Sequence, residues 1–173
     1  MKGHDLKKAY LVVWAFFFLV AGTSTGGDYP VGQVEIYFLK DQSVRANEIR
    51  EVHINSLKLA EFPWISTSDI STYKWDSQEI YLKEESYHLL GQFPDRINGP
   101  DLPFVVVANG ERIFVSSCLW FGSSQRGLDI GISLIEGDQK GLRFGAEESR
   151  RYGDPRKDDR LKMCLEEAGI LAK

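Results

Sequence analysis

The chain has 173 residues, 43% of them hydrophobic, two cysteines and a formal net charge of −4. That length describes one ordinary domain, large enough to fold without a metal or a disulfide framework. A mildly acidic chain with no long basic run repels phosphate backbones, which excludes nucleic acid as a partner.

Residues 1–26 show the three zones of a secretory signal. Lys2, Lys7 and Lys8, against a single Asp5, make a basic start. Ala9 to Ala21 is an uncharged apolar run of 13 residues, and Gly22 to Gly27 is small and polar. A helix of that run would reach ~20 Å, short of the ~30 Å hydrocarbon core, so a signal peptide fits better than a spanning helix. Val20-Ala21-Gly22 and Thr23-Ser24-Thr25 are the rival cleavage regions; an uncleaved signal anchor is the alternative. No cysteine lies near this boundary, which argues against a lipid-modified terminus. The expectation is a single extracytoplasmic domain over residues 27–173, periplasmic or secreted. Without Lys2, Lys7, Lys8 and Asp5 it keeps 18 basic and 24 acidic residues. Membrane contact is expected only if the amino-terminal segment stays attached.

Gln33 to Leu39 alternates Val34, Ile36 and Phe38 on one face, as a half-buried strand does. Glu51 to Leu59 reads as a second strand, paired with the first, whose change of face suggests a bulge near Asn55-Ser56. Ser66-Thr67-Ser68-Asp69 matches a helix start, with one or two turns expected before Trp75. Gln78 to Leu82 reads as a short strand, and Glu84 to Leu90, opened by two acids, as a short helix.

Phe104 to Ala108 and Arg112 to Val115 flank Asn109-Gly110, the pair that tolerates the positive φ of a type I′ turn. The apolar run before that turn implies a strand buried on both faces. Trp120 to Asp129 is a glycine- and serine-rich connection, and Ile130 to Ile135 and Leu142 to Phe144 form a further hairpin. Asp154 and Pro155 open the final helix, Leu161, Cys164, Leu165 and Ala168 form its apolar stripe, and Gly169 ends it. The expected fold class is α+β: one antiparallel-rich sheet of six or seven strands with two or three short helices, the last packed on the sheet.

Ser68-Asp69-Ile70, Tyr73 with Trp75, Ile80-Tyr81-Leu82, Pro103 to Val107, Asn109 to Ile113 and the closing Asp154 to Gly169 together resemble a family of small exported bacterial proteins of unknown function. The resemblance spans most of residues 33–171 and implies no activity. The same turn before a short strand, and an apolar strand leading into a glycine turn, are similar to the periplasmic domain of the export subunit SecD. That similarity implies a small α+β sheet layer and no role in translocation. Members of the first family often carry a lipobox cysteine, which this chain lacks.

Cys118 and Cys164 are the only cysteines. Export makes a disulfide between them an open alternative to two separately buried thiols. Neither has a histidine or second cysteine at ligand spacing, so no metal is expected, and no cofactor. Gly122-Ser123-Ser124-Gln125-Arg126 departs from a nucleophile elbow, because Arg126 stands where the second glycine belongs. His53 reads as a rim residue and His88 as packing or surface; two isolated histidines make neither a dyad nor a metal site. Adjacent acids such as Glu84-Glu85 and Asp158-Asp159 diverge on a helix and suit helix starts. No catalytic residue is assigned.

Trp64, Trp75, Trp120 and Phe121 fall in or beside connections, where aromatics either cover the core rim or form a binding surface. The candidate binding residues are Trp120, Phe121, Ser123, Ser124, Gln125 and Arg126, which join aromatic surface to varied donors and acceptors. The functional expectation is a non-enzymatic binding or accessory domain for a protein or cell-envelope component. The alternative is an envelope hydrolase or an inhibitor-like factor acting on cell-wall or protein substrates.

Overall fold

The computed structural model describes residues 31–92, 102–118, 130–135, 137–146 and 153–172. The strands are β1 (Val34–Phe38), β2 (Ile65–Ser66), β3 (Ile70–Lys74), β4 (Glu79–Leu82), β5 (Pro103–Ala108), β6 (Glu111–Cys118), β7 (Ile130–Ile135) and β8 (Gly141–Ala146). One α-helix follows, α1 (Asp159–Glu167). The eight strands form a single sheet in the order β2-β1-β5-β6-β7-β8-β4-β3. Every pairing is antiparallel except β6 with β7.

The two margins of this sheet, β2 and β3, are separated in sequence only by the 3-10 turn Thr67–Asp69. Four peptide steps hold them within ~14 Å of each other, so the sheet curls until it nearly closes. The Ser66–Asp69 capping box forms as expected. A strand follows it in place of the expected helical turns. Ile70 and Tyr73 are buried, with Ser71 and Lys74 exposed, and β4 offers this segment a ladder that a helix would forfeit.

The interior of the curl is one apolar core to which both halves of the sheet contribute, including Ile36, Ile65, Phe104, Phe144 and Ile132. α1 buries Leu161, Cys164 and Leu165 in it. Burial of each leucine there stabilises the fold by about 1.5–3 kcal/mol. The expected single helix from Asp154 divides into two elements. Asp154 caps a 3-10 turn, Pro155–Lys157, and Asp158 caps α1 by accepting from the Arg160 N–H. Gly169, at φ 68°, ends the helix. The chain then runs along β3, where the Tyr73 N–H donates to Ile170 O (2.7 Å) and the Ala172 N–H to Tyr73 O (2.8 Å), covering that sheet margin.

Residues 51–59 do not form the expected strand. A 3-10 turn at Ile54–Ser56 replaces it, and pairing with the first strand's end shrinks to the bridge Leu39↔Leu59. The reason is a second apolar cluster on the outer face of the sheet, where Leu39, Ile49 and Leu57 cover Val105 and Val107. A segment folded across that face buries more apolar surface than a ladder at its edge would. All six residues of β5 are consequently buried, as the uninterrupted apolar run implies. The Asn109-Gly110 hairpin forms with φ of 47° and 78°, and β7 and β8 form the second hairpin. Glu84–Gln92 is a 3-10 helix.

Cys164 is a free, buried thiol, and no disulfide forms among the described residues. Burial pushes this thiol above its ordinary range and keeps it inert. Under denaturing, non-reducing conditions the protein will titrate two thiols; a count of zero would restore the disulfide.

Candidate functional site

Trp120, Phe121, Ser123, Ser124, Gln125 and Arg126 lie outside the described residues, as does the rest of the segment 119–129. What the structure defines is the ground on either side. The parallel register sets Ser117 opposite Gly131 and Cys118 opposite Ile132, so the end of β6 and the start of β7 lie side by side. Neighbouring strands are ~4.8 Å apart. Ser116 Oγ also donates to Ile130 O (3.3 Å), and Ser116 and Ser117 are fully buried. Both flanks of the segment are thus held in the sheet.

The other two candidate aromatics serve the core. Trp64 is 4% exposed, stacks on Phe38 (4.9 Å) and Phe104 (5.7 Å), and donates its indole N–H to Leu89 O (3.0 Å). Trp75 packs against the core rim, tilted against Tyr73 at 6.1 Å. His53 and His88 are exposed and locally engaged. His53 Nδ1 accepts from the Asn55 N–H (3.2 Å), and His88 Nδ1 lies 2.8 Å from Glu85 O. His53 caps a turn and does not alternate along a strand.

Three polar clusters emerge, of which the sequence announced only the Ser66–Asp69 capping box. On the outer face of β3, β4 and β8, Glu79 accepts from Arg143 and from Tyr81 Oη (2.9 Å), and Lys74 lies 3.9 Å from the same carboxylate. Burial alone would raise the Glu79 carboxyl, but hydrogen bonds from Arg143, Tyr81 and Ser77 outweigh it and hold it low. Lys74 also sits over the Tyr81 ring, 4.5 Å from its centroid. Every polar group of this cluster has a partner inside it, the arrangement of a cross-strand brace.

The second cluster lies at the turn before β4. Gln78 is buried at φ 56°, with its side chain accepting from Tyr73 Oη (2.8 Å) and donating to Trp75 O, while its own carbonyl accepts from the Phe144 N–H (2.9 Å). Nearby, Arg156 donates to Phe144 O and to both oxygens of Asp154. Burial pushes the Tyr73 hydroxyl well above its usual range, so it remains a donor.

The third is the corner that closes the sheet. Asp69 accepts from the Ser66 N–H (2.9 Å), Ser66 Oγ (2.7 Å) and Ser86 Oγ (3.0 Å). Desolvation would raise this carboxyl, yet those hydrogen bonds keep it below the usual carboxylate range. In each cluster the polar groups are used up in holding strands and turns together.

Among the described residues no group of three His, Cys, Asp or Glu side chains could hold a metal ion. Also among them, no helix is long and apolar enough to cross a membrane. No protein-family model, no curated protein and no solved structure matches this chain.

Proposed function

We propose that this chain is an extracytoplasmic, non-enzymatic domain that binds a protein or cell-envelope component through Trp120, Phe121, Ser123, Ser124, Gln125 and Arg126. The observation that carries the reading is the β6–β7 junction. It is the sheet's single parallel strand pair among the described residues, two register pairs long. A segment of 11 residues there leaves and re-enters a rigid, buried scaffold at neighbouring points. Recognition residues are disproportionately borne on connections positioned in this way. A tryptophan and a phenylalanine in sequence supply anchor area, and an arginine with two serines and a glutamine supplies directional polar contacts.

The engaged state of Asp69, Glu79, His53 and His88 also supports binding over chemistry. General acid–base work needs a group within hydrogen-bond reach of a substrate atom and free to exchange a proton. Asp69 and Glu79 instead spend their oxygens on neighbours. The basic and apolar zones of residues 1–26 supply the export signal in this reading. The likeness to small exported bacterial proteins and to the periplasmic domain of SecD enters the proposal at the level of fold class alone.

Trp120→Ala should weaken capture of the native envelope partner by at least tenfold, the usual loss at an aromatic anchor, while the melting temperature stays within about 2 °C. Quantitative pull-down from the envelope fraction, paired with thermal unfolding of the same two proteins, checks it. An identical partner profile at intact stability would refute the assignment.

A further inference from the structure

The end of β1 lies on the described surface, in sequence well removed from segment 119–129. There Lys40 donates its N–H to Lys58 O (2.8 Å), one step beyond the bridge Leu39↔Leu59. Leu39 and Leu59 face the outer apolar cluster. Alternation along an extended chain sends Lys40 and Lys58 to the other face, directly opposite one another. Cβ atoms in such pairs are ~5 Å apart, and like charges so placed destabilise the pairing. Neither lysine has an ion-pair partner among the described residues.

The two lysines, with Asp41 and Gln42, line an open surface depression. Asp41 contributes one negative charge at the rim, which leaves the two ammonium groups in excess. Its carboxylate is turned into its own turn, accepting from the Ser43 N–H (2.9 Å) and Ser43 Oγ (2.6 Å). Gln42 gives its carbonyl to Arg45 Nη1 (2.9 Å), which brings a third cation to the rim. An acidic chain thus holds two opposed ammonium groups beside a third positive side chain.

From this juxtaposition we infer that Lys40 and Lys58 form a binding site for a phosphate group. Two ammonium groups match the two charges of a phosphate monoester dianion, and binding removes the repulsion between them. Charge-assisted N–H···O bonds of this kind are about twice as strong as neutral ones. The group can arrive as free phosphate or as the phosphate of a lipid headgroup. The lysine pair does not depend on Trp120 to Arg126, and failure of one site leaves the other standing.

The test is a titration of the purified protein with inorganic phosphate at low ionic strength, followed by backbone amide resonances. Saturable shifts are expected from Lys40 to Gln42 and at Lys58. Lys58→Gln should weaken the affinity about tenfold, and the K40Q/K58Q double variant should show no saturation. Co-sedimentation with phosphatidic acid vesicles, whose headgroup is a phosphate monoester, separates the sources. Vesicle capture that the double variant loses assigns the headgroup, whereas phosphate binding without capture assigns the free anion. Because both side chains are exposed, the double variant should melt at or above the parent at low salt. Shifts no larger than those from chloride at matched ionic strength would overturn the site. So would an affinity unchanged in K40Q/K58Q, or a lower melting temperature for that variant, which would mean the lysines already have partners in the fold.

Discussion

Trp64→Ala will lower the unfolding free energy by about 4 kcal/mol, the loss typical of removing a fully packed indole or phenyl ring. Trp64 lies where β2 begins, and three interactions converge on it. Its ring packs against both Phe38 and Phe104, its indole N–H satisfies Leu89 O, and its backbone N–H donates to Ile36 O (2.7 Å). Alanine keeps the backbone bond and forfeits the other two. The cavity opens beside the corner that closes the sheet, and the Leu89 carbonyl loses its donor at part-buried depth. Domains of this size have about 5–15 kcal/mol of stability in total, so the variant should lose between about a quarter and four-fifths of it. Phe62→Ala is the internal control. Phe62 stands two residues away at 73% exposure, and its removal should change stability by less than about 0.5 kcal/mol. Urea unfolding of the three proteins decides it. A Trp64→Ala change below about 1 kcal/mol would contradict this packing.

Gly141→Ala should do more damage still, although it adds a single methyl group. Gly141 opens β8 and pairs with Tyr81 of β4 and Ile135 of β7. A Cβ built there overlaps the Ile80 carbonyl oxygen and comes within 2.9 Å of the Ile80 carbonyl carbon and 3.1 Å of Tyr81 Cα. All three obstacles are main-chain atoms, so no rotamer change relieves them. β4 would have to withdraw from β8, and the ladder between them has three register pairs, Glu79↔Arg143, Ile80↔Leu142 and Tyr81↔Gly141. Losing it detaches β3 and β4 from the sheet, along with the Glu79–Arg143 ion pair that crosses the same seam. The expected result is a protein without a cooperative thermal transition, or one destabilised by more than about 4 kcal/mol, in the exceptional range for a point substitution. Gly91→Ala, whose added methyl would have nothing within 4 Å, should be indistinguishable from the parent. Near-UV circular dichroism with thermal melting reads both outcomes, and a native Gly141→Ala melt would show that the close β4–β8 approach is not required.

Where local chemistry is strong, the sequence reads directly into the fold. Asn109-Gly110 dictates its turn because few residues tolerate positive φ at both central positions. Ser66 and Asp69 form their capping box within four residues, and Gly169 ends its helix by the same local logic. The apolar stripe Leu161, Cys164 and Leu165 fixes which face of α1 enters the core. The segment 51–59 is ambiguous because its apolar residues suit either an edge strand or a lid over another strand's outer face. Only the demand to cover Val105 and Val107 chooses between them. Ser66 to Trp75 is ambiguous in a similar way. A helix start is also a good 3-10 turn, and the availability of β4 as a partner decides for the strand.

The candidate site divides along the same line. Aromatic and polar composition singles out Trp120 to Arg126, but composition cannot say where a segment is anchored. The parallel pairing of β6 with β7, which brings its two flanks together, is a property of the assembled sheet. The opposition of Lys40 and Lys58, 18 positions apart in the chain, is likewise invisible until Leu39 meets Leu59.

By itself, then, the amino-acid order determined the short-range features: the basic-apolar-polar amino terminus, the turns and caps, and the apolar face of the last helix. Each depends on interactions among residues a few positions apart, whose energies hardly change with context. The tertiary structure alone decided the closure of the sheet through Thr67–Asp69, the close approach of β4 to β8 at Gly141, the burial of Gln78 and the free state of Cys164. Those depend on which distant surfaces meet, and that choice is made by the total apolar area the whole chain can remove from water.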